Sequence, residues 1–426
     1  MVIGLTLWPL AQRVVAAPGA LDPTFGGDGK VITDLTPGLD YASAIAIQAD
    51  GKLVAAGIAN YHGADARFAL ARYRSNGTLD PGFSGDGKVI TNFTPTFDGA
   101  FAVAIQADGK IVAAGEAGGT GPAETPGARF ALARYQMNGR LDRTFGGDGR
   151  VMTKLSNGAD FAFGIVLQAD GKIVTSGHAG GRGGRFALAR YRPSGMLDGS
   201  FGGDGKVTTN FTNGDDRSDD LAVQPADGKI VAAGTAGFFS TGARFAAARY
   251  NVNGSLDRTF GGDGKVMTNI TRSFDGGFGV AIQADSRIVL AGQAGGGNAG
   301  RMAVVRYGSG GNLDGSFGGD GKVLTNFTSA LDYADDVVVQ AGDGRIVAGG
   351  ATAFFGPAPR FALARYDING SLDTSFGGDG RVTTSFSAKR GGVFGLVIQP
   401  SDARIVAAGV AGGSGGRFGV ARYLGS

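Results

Sequence analysis

The chain of 426 residues has no cysteine, one tryptophan and two histidines. Without cysteine there is no disulfide, no thiolate metal site and no cysteine nucleophile. The histidines, His62 and His178, fall in different parts of a repeat array. A Ser-His-Asp triad or a His-rich metal site needs more convergence than two loop histidines offer. Charge of one sign is missing too: 40 basic and 37 acidic residues are interleaved, with a net charge of +3. There is no basic stripe of the kind a nucleic-acid partner requires. Beyond residue 20 no segment is apolar for long enough to span a bilayer. No stretch of about ten residues carries apolar side chains at helical spacing, because glycine interrupts every candidate. Neither a nucleophile elbow nor a phosphate-binding glycine loop occurs in the strand–turn–helix setting its chemistry needs.

What the chain has in excess is glycine, 80 residues, alongside 42% hydrophobic and only 18% charged residues. Glycine without a Gly-X-Y period excludes collagen. So apolar and weakly charged a chain builds a core and does not stay disordered. The glycines belong to a repeat. Leu-Asp-x-x-Phe-x-Gly-Asp-Gly recurs at Leu21–Gly29, Leu79–Gly87, Leu141–Gly149, Leu197–Gly205, Leu256–Gly264, Leu313–Gly321 and Leu372–Gly380. The starts lie 58, 62, 56, 59, 57 and 59 residues apart. A period of that size points to an array of one supersecondary unit.

One unit reads as four strands. Ala42–Gln48 alternates small and branched apolar residues, Ala49-Asp50-Gly51-Lys52 is a turn, and Leu53–Gly57 is a small-residue strand. Arg67–Tyr73 (RFALARY) is the third strand and Lys88–Phe93 (KVITNF) the fourth, rich in β-branched residues. The first turn keeps glycine at Gly109, Gly171, Gly228 and Gly344 but has Ser286 and Ala403 in two copies. Those two must use another turn or accept strain of roughly 1 kcal/mol or more. Four short antiparallel strands per repeat, seven times, predict an all-β, seven-bladed β-propeller; a parallel β-helix is the competing array. With Ala42–Gln48 as inner strand A and Lys88–Phe93 as outer strand D, the N-terminus has a spare D strand over 30–35. The C-terminus ends on A, B and C strands. Strand 30–35 is therefore expected to pair with 417–423 and close the ring, satisfying two open edges. The blades fall at about 41–94, 99–156, 161–212, 217–271, 276–328, 333–387, and 392–424 plus 30–36, one propeller over 21–426. Residues 1–20 differ from the rest: an apolar run Val2–Leu10 and the small residues Val15-Ala16-Ala17 read as a signal peptide or its remnant.

The Arg-Phe-Ala-Leu-Ala-Arg-Tyr strand, the Leu-Asp-x-x-Phe-Gly-Gly-Asp-Gly-Lys-Val connection and the Ala-Ile-Gln-Ala-Asp-Gly-Lys-Ile-Val hairpin resemble the delta-60 repeat family of bacterial β-propellers over 21–426. The resemblance implies an exported or cell-envelope setting. It supplies no catalytic residues.

Three residue sets could carry chemistry. The aspartates of Gly-Asp-Gly, Asp28, Asp86, Asp148, Asp204, Asp263, Asp320 and Asp379, suit calcium as the one metal of interest, with a plain tight turn as the competing reading. Strict repetition in every copy favours the turn. Eight residues before the Gln that ends strand A stand Asp40, Asp98, Asp160, Asp216, Asp275 and Asp332, with Gly391 in the seventh copy beside Lys389 and Arg390. Near the channel mouth they would attract a cation; the competing reading is a turn at strand entry. Asp219, Asp220, Asp335 and Asp336 add negative charge in two blades. The B–C loops vary most and carry Tyr61, His62, Phe238, Phe239, Phe354 and Phe355, suited to a sugar or peptide ligand unless they tuck between blades. The expected function is a non-catalytic binding or scaffold module working as a monomer at or outside the cell envelope. It would bind a carbohydrate or a protein or peptide on the variable-loop face, with no nucleic-acid partner. A carbohydrate-active hydrolase or lyase, which would need paired carboxylates at the channel mouth, and a purely structural repeat are the alternatives.

Overall fold

The structure is a computed structural model that describes residues 16–63, 65–121, 127–356, 358–386, 391–412 and 415–425. Each repeat forms one four-stranded antiparallel sheet, and seven sheets make a ring. Strand β1 is Lys30–Thr33; the first blade contains β2 (Tyr41–Ile47), β3 (Leu53–Ala59), β4 (Arg67–Tyr73) and β5 (Lys88–Thr91) in spatial order. Five more complete blades run over 97–153, 160–209, 216–268, 275–325 and 333–384. The seventh combines 391–398, 405–411 and 417–423 with β1. Among the described residues the only helical element is one 3-10 turn, Gly297–Ala299. No helix among them is long and apolar enough to cross a membrane.

The B and C strands are buried on both faces, as in β3 (LVAAGIA) and β4 (RFALARY). Neighbouring blades cover both sides, so small and branched apolar residues replace the usual in–out alternation. Two polar contacts recur between blades. Each C-strand tyrosine hydroxyl hydrogen-bonds the threonine of the preceding blade's D strand, from Tyr73 with Thr33 (2.8 Å) through Tyr423 with Thr384 (2.8 Å). Each buried C-strand arginine lies over the Phe of its own Leu-Asp-x-x-Phe tract, as Arg190 over Phe201 at 4.7 Å. It pairs with that tract's aspartate, Arg190 Nε to Asp198 Oδ2 at 2.9 Å, and donates Nη1 to a carbonyl of the next blade, that of Val252. The guanidinium thus meets charge, ring and carbonyl at once, which is what burial of a charge requires.

The ring closes as expected: Lys30 pairs with Ala421, Val31 with Val420, Ile32 with Gly419 and Thr33 with Phe418. Closure begins earlier than residue 21. The Pro18 carbonyl accepts from Gly377 N at 3.0 Å, the contact Asn76 makes with Gly26, so Pro18-Gly19 replaces the Asn-Gly turn of the other copies. Gly19 needs its left-handed φ of +85°, because a Cβ there would sit 2.9 Å from Gly377 N. The expected leader boundary after residue 20 therefore cuts through the ring, while Val2–Leu10 and Val15 lie outside the described residues. D strands end at the threonine, two residues short of expectation. The next amides leave the ladder to serve a buried aspartate, as Leu35 N and Thr36 N do for Asp40. Ser286 and Ala403 do adopt positive φ, +66° and +55°, in the two hairpins without glycine.

Candidate functional site

Each inner strand carries a β-bulge at the same place. The register with strand B skips one residue between Ala42 and Ala44, Ala100 and Ala102, Ala162 and Gly164, Ser218 and Asp220, Gly277 and Gly279, Ala334 and Asp336, and Val393 and Gly395. A bulge leaves one residue unpaired and re-aims its side chain. The seven skipped residues are Ser43, Phe101, Phe163, Asp219, Phe278, Asp335 and Phe394, and all seven line one cavity of about 1010 Å³ on the ring axis. The bulge is enforced from strand B. The glycine paired to the residue before it lies so near a carbonyl that a Cβ on Gly177 would be 1.8 Å from the Phe161 oxygen.

The wall above this ring is built from the D–A and B–C loops, with Leu39, Phe274 and Leu331 from the first set and Tyr61, Phe238, Phe354 and Phe355 from the second. The rings support one another edge to face. Tyr41 sits 4.9 Å from Tyr61 and 5.6 Å from Phe394, Tyr333 sits 5.1 Å from Phe354, and Phe238 sits 5.8 Å from Phe274. Phe355 is 69% exposed, a free apolar face at the rim.

Four carboxyls stand at or beside the bulges of two blades. Asp219 Oδ1 accepts from Arg217 Nε at 2.5 Å, and the same guanidinium lies 4.2 Å from the Phe163 centroid and 4.7 Å from that of Phe238. The Asp219 side chain is 7% exposed, and its Oδ2 has no partner. Burial pushes this carboxyl up to about 6 despite Arg217. Asp335 Oδ2 is likewise buried without a partner. Burial lifts Asp335 well above the usual carboxylate range, a hydrogen bond with Tyr333 and the Arg217 charge oppose the rise, and Asp219 and Asp336 add to it. Asp220 and Asp336 do something else. Asp220 Oδ2 accepts from Val280 N of the next blade at 3.0 Å, and Asp336 Oδ2 accepts from Leu396 N at 2.6 Å. Each staples its blade to a neighbour whose matching inner-strand residue is glycine, Gly279 or Gly395. Burial pushes Asp220 up to about 8, with Asp336 contributing, and Asp336 up to about 6.

The other sequence candidates lie elsewhere. Asp40, Asp98, Asp160, Asp216, Asp275 and Asp332 are fully buried where the D–A loops enter the A strands, and none of them lines the cavity. Asp40 shows why: Oδ2 accepts from Leu35 N (2.9 Å) and Thr36 N (2.8 Å), and Oδ1 accepts from Thr36 Oγ1 (2.6 Å) and Asn60 N (3.0 Å). The expectation that they line the channel mouth is corrected. A carboxylate that accepts four hydrogen bonds, three from the D–A loop and one from the start of the B–C loop, is consumed by them. The Gly-Asp-Gly aspartates serve turns, as Asp28 Oδ1 accepts from Lys30 N at 3.0 Å. Among the described residues no three His, Asp or Glu side chains converge on a metal-sized point. Tyr61, Phe238, Phe354 and Phe355 do come together at the cavity; Phe239 is 64% exposed against Phe238, and His62 is exposed beside Tyr61 at 5.0 Å. His178 is buried against Phe161, and burial together with the Arg217 charge holds its imidazole below the ordinary value.

Of the ring of bulge residues, residue-by-residue reading singled out only Asp219 and Asp335. The signal was there: five positions before each strand-A Gln, otherwise similar copies read Ser, Phe, Phe, Asp, Phe, Asp and Phe.

Comparison with known proteins agrees with the architecture. Residues 48–83, 106–145, 168–201, 226–260, 283–317 and 341–376, together about half of the chain, match the model of a domain of unknown function (DUF5122) β-propeller. No curated protein matches. A catalytically inactive virginiamycin B lyase from Staphylococcus aureus, solved with quinupristin, is similar at a TM-score of 0.54 and 12% identity over 92% of this chain and 98% of that one. A streptogramin B lyase is similar at 0.52 and 9% identity, over 92% and 98%. A chain of the mitotic checkpoint complex is similar at 0.50 and 9%, over 100% and 96%. At such identities the likeness is one of fold alone.

Proposed function

We propose, from the premise that this chain belongs to the DUF5122 β-propeller family, that it is a non-catalytic binding module whose ligand enters between the B–C and D–A loops and rests on the bulge ring. One observation carries the reading. The cavity lies where the copies differ most, although everything that builds the blades is repeated. Alike blades would offer the axis seven alike side chains; a single ligand needs unlike ones. Free aromatic faces around a concave wall with few polar groups suit a sugar or peptide. The exported, cell-envelope setting and the monomeric state belong to this reading and rest on the resemblance and on the lack of cysteine. A glycan and peptide screen of the full chain, with and without calcium, tests it. Phe278→Ala and Phe394→Ala should each abolish any hit, and a hit untouched by both would remove the cavity from the account.

A second reading, a carbohydrate-active hydrolase or lyase, draws on one observation. Asp219 and Asp335 are two cavity carboxyls in unlike surroundings, the arrangement that separates an acid from a base. Incubating the same glycans with the chain and analysing products decides it: cleavage lost in Asp335→Asn would replace the binding reading.

A further inference from the structure

We infer that the part of the ligand reaching the bulge ring is an alkylammonium cation, a lysine-like or methylated amine, held between phenyl faces and the free carboxyl oxygens of Asp219 and Asp335. The inference rests on the binding reading above and names the chemistry of the same site. In blade order the bulge residues run Phe163, Asp219, Phe278, Asp335, Phe394, so phenyl and carboxyl alternate around more than half of the ring. Each carboxyl has a phenyl bulge residue on either side, and Phe278 stands between the two.

Two further observations point to a cation. First, both residues line the cavity and each has a buried oxygen that no protein group satisfies, and the Asp219 side chain is more than nine-tenths buried. An unpaired buried carboxyl oxygen is costly and is retained where something else completes it. Second, the protein already holds one cation by this chemistry at this place. The Arg217 guanidinium lies on Phe163 and Phe238 while bonding Asp219 Oδ1. Asp219 Oδ2 and Asp335 Oδ2 have no internal partner. A neutral hydroxyl could bond the same oxygens but would gain nothing from the negative faces of the flanking rings, whereas an ammonium gains from both.

The groups that face Asp335 set its charge: Tyr333, Asp219, Asp336 and Arg217, with burial outweighing the rest. Burial thus favours the protonated carboxyl, and a cation that pairs with it displaces that proton. R–NH3+ and the Asp335 carboxylic acid give the ammonium–carboxylate pair and one H+ released to solvent.

Titration calorimetry of the full chain with Nα-acetyl-lysine methylamide, its trimethylated form and the neutral isostere Nα-acetyl-norleucine methylamide tests this. The ammonium probes should bind about tenfold or more tighter than the isostere. Their affinity should rise as pH climbs through about 6, where Asp219 ionises, with proton release seen as a buffer-dependent heat. Asp335→Asn should erase the charge preference. Equal affinity for lysine and norleucine probes, no binding of either, or affinity that falls with rising pH would overturn the inference. If the preference fails while screen hits still depend on Phe278 and Phe394, the cation is wrong and the cavity reading stands; if hits ignore both phenylalanines, both fall.

Discussion

Replacing Phe25 with alanine tests the closure of the ring. Phe25 is fully buried, in one cluster with Leu53 and Tyr73 of the first blade and Val406 and Val420 of the last. The Arg422 guanidinium lies 4.8 Å from its centroid, and that arginine also holds Asp22 at 2.8 Å and Thr24 at 2.9 Å. Removing the ring costs about 3–5 kcal/mol for a buried phenylalanine. Loss of the stacked cation adds about 1 kcal/mol. The sum is a large part of the roughly 5–15 kcal/mol that holds a domain folded. Phe201→Ala is the control, since Phe201 is equally buried and has the same kind of arginine, Arg190, at 4.7 Å. The two should lower the urea midpoint alike. They should differ in hydrogen exchange. The segment from residue 16 to Thr33 is joined to the last blade by contacts alone, with four ladder pairs along β1. It can peel away without unravelling another blade, so Phe25→Ala should strip amide protection from Lys30–Thr33 and from their partners in 417–423 selectively. Phe201→Ala should lower protection without singling out that edge. Unchanged protection over 30–33 in Phe25→Ala would refute the account of closure.

Two further outcomes follow from the bulges and the buried carboxyls. Gly177→Ala places a methyl within 1.8 Å of the Phe161 carbonyl, which no rotamer change relieves; it should cost about 3 kcal/mol or more in chemical denaturation, and wild-type stability there would mean the bulge is not enforced by that glycine. Stability should also fall as pH rises through about 6 to 8. Burial raises Asp336 to about 6 and Asp220 to about 8, so what they contribute is fully present below the ordinary carboxylate range and is lost as each ionises. Asp198 acts oppositely: hydrogen bonds from Ser200 and the Arg190 charge outweigh burial and hold it at about 2, so its contribution is lost only in strong acid. Melting temperature against pH should decline on the alkaline side, and Asp220→Asn should flatten that decline; a flat wild-type profile above about pH 6 would contradict the assignment.

The blades were legible because what forms them is local. Alternation in Ala42–Gln48, the Gly51 turn and the β-branched Lys88–Thr91 each act over a few residues, and seven copies make the pattern unmistakable. Closure was legible for the same reason, since one D strand was spare at one end and one was missing at the other. The six loop aspartates were visible as a set, but their direction was not. Asp40 and Asp335 are the same side chain near the same strand, yet one is enclosed by Leu35, Thr36 and Asn60 while the other is turned onto the axis.

By itself the sequence determined the number of blades, their strand order and the pairing of the two chain ends, because strand period, turn chemistry and repeat spacing are properties of short segments. Only the tertiary structure decided which residues face the axis. A bulge exists as two residues set against one on a partner strand, so Ser43 or Asp335 becomes a channel residue only when Gly57 or Gly350 lies opposite and a carbonyl leaves no room for a side chain.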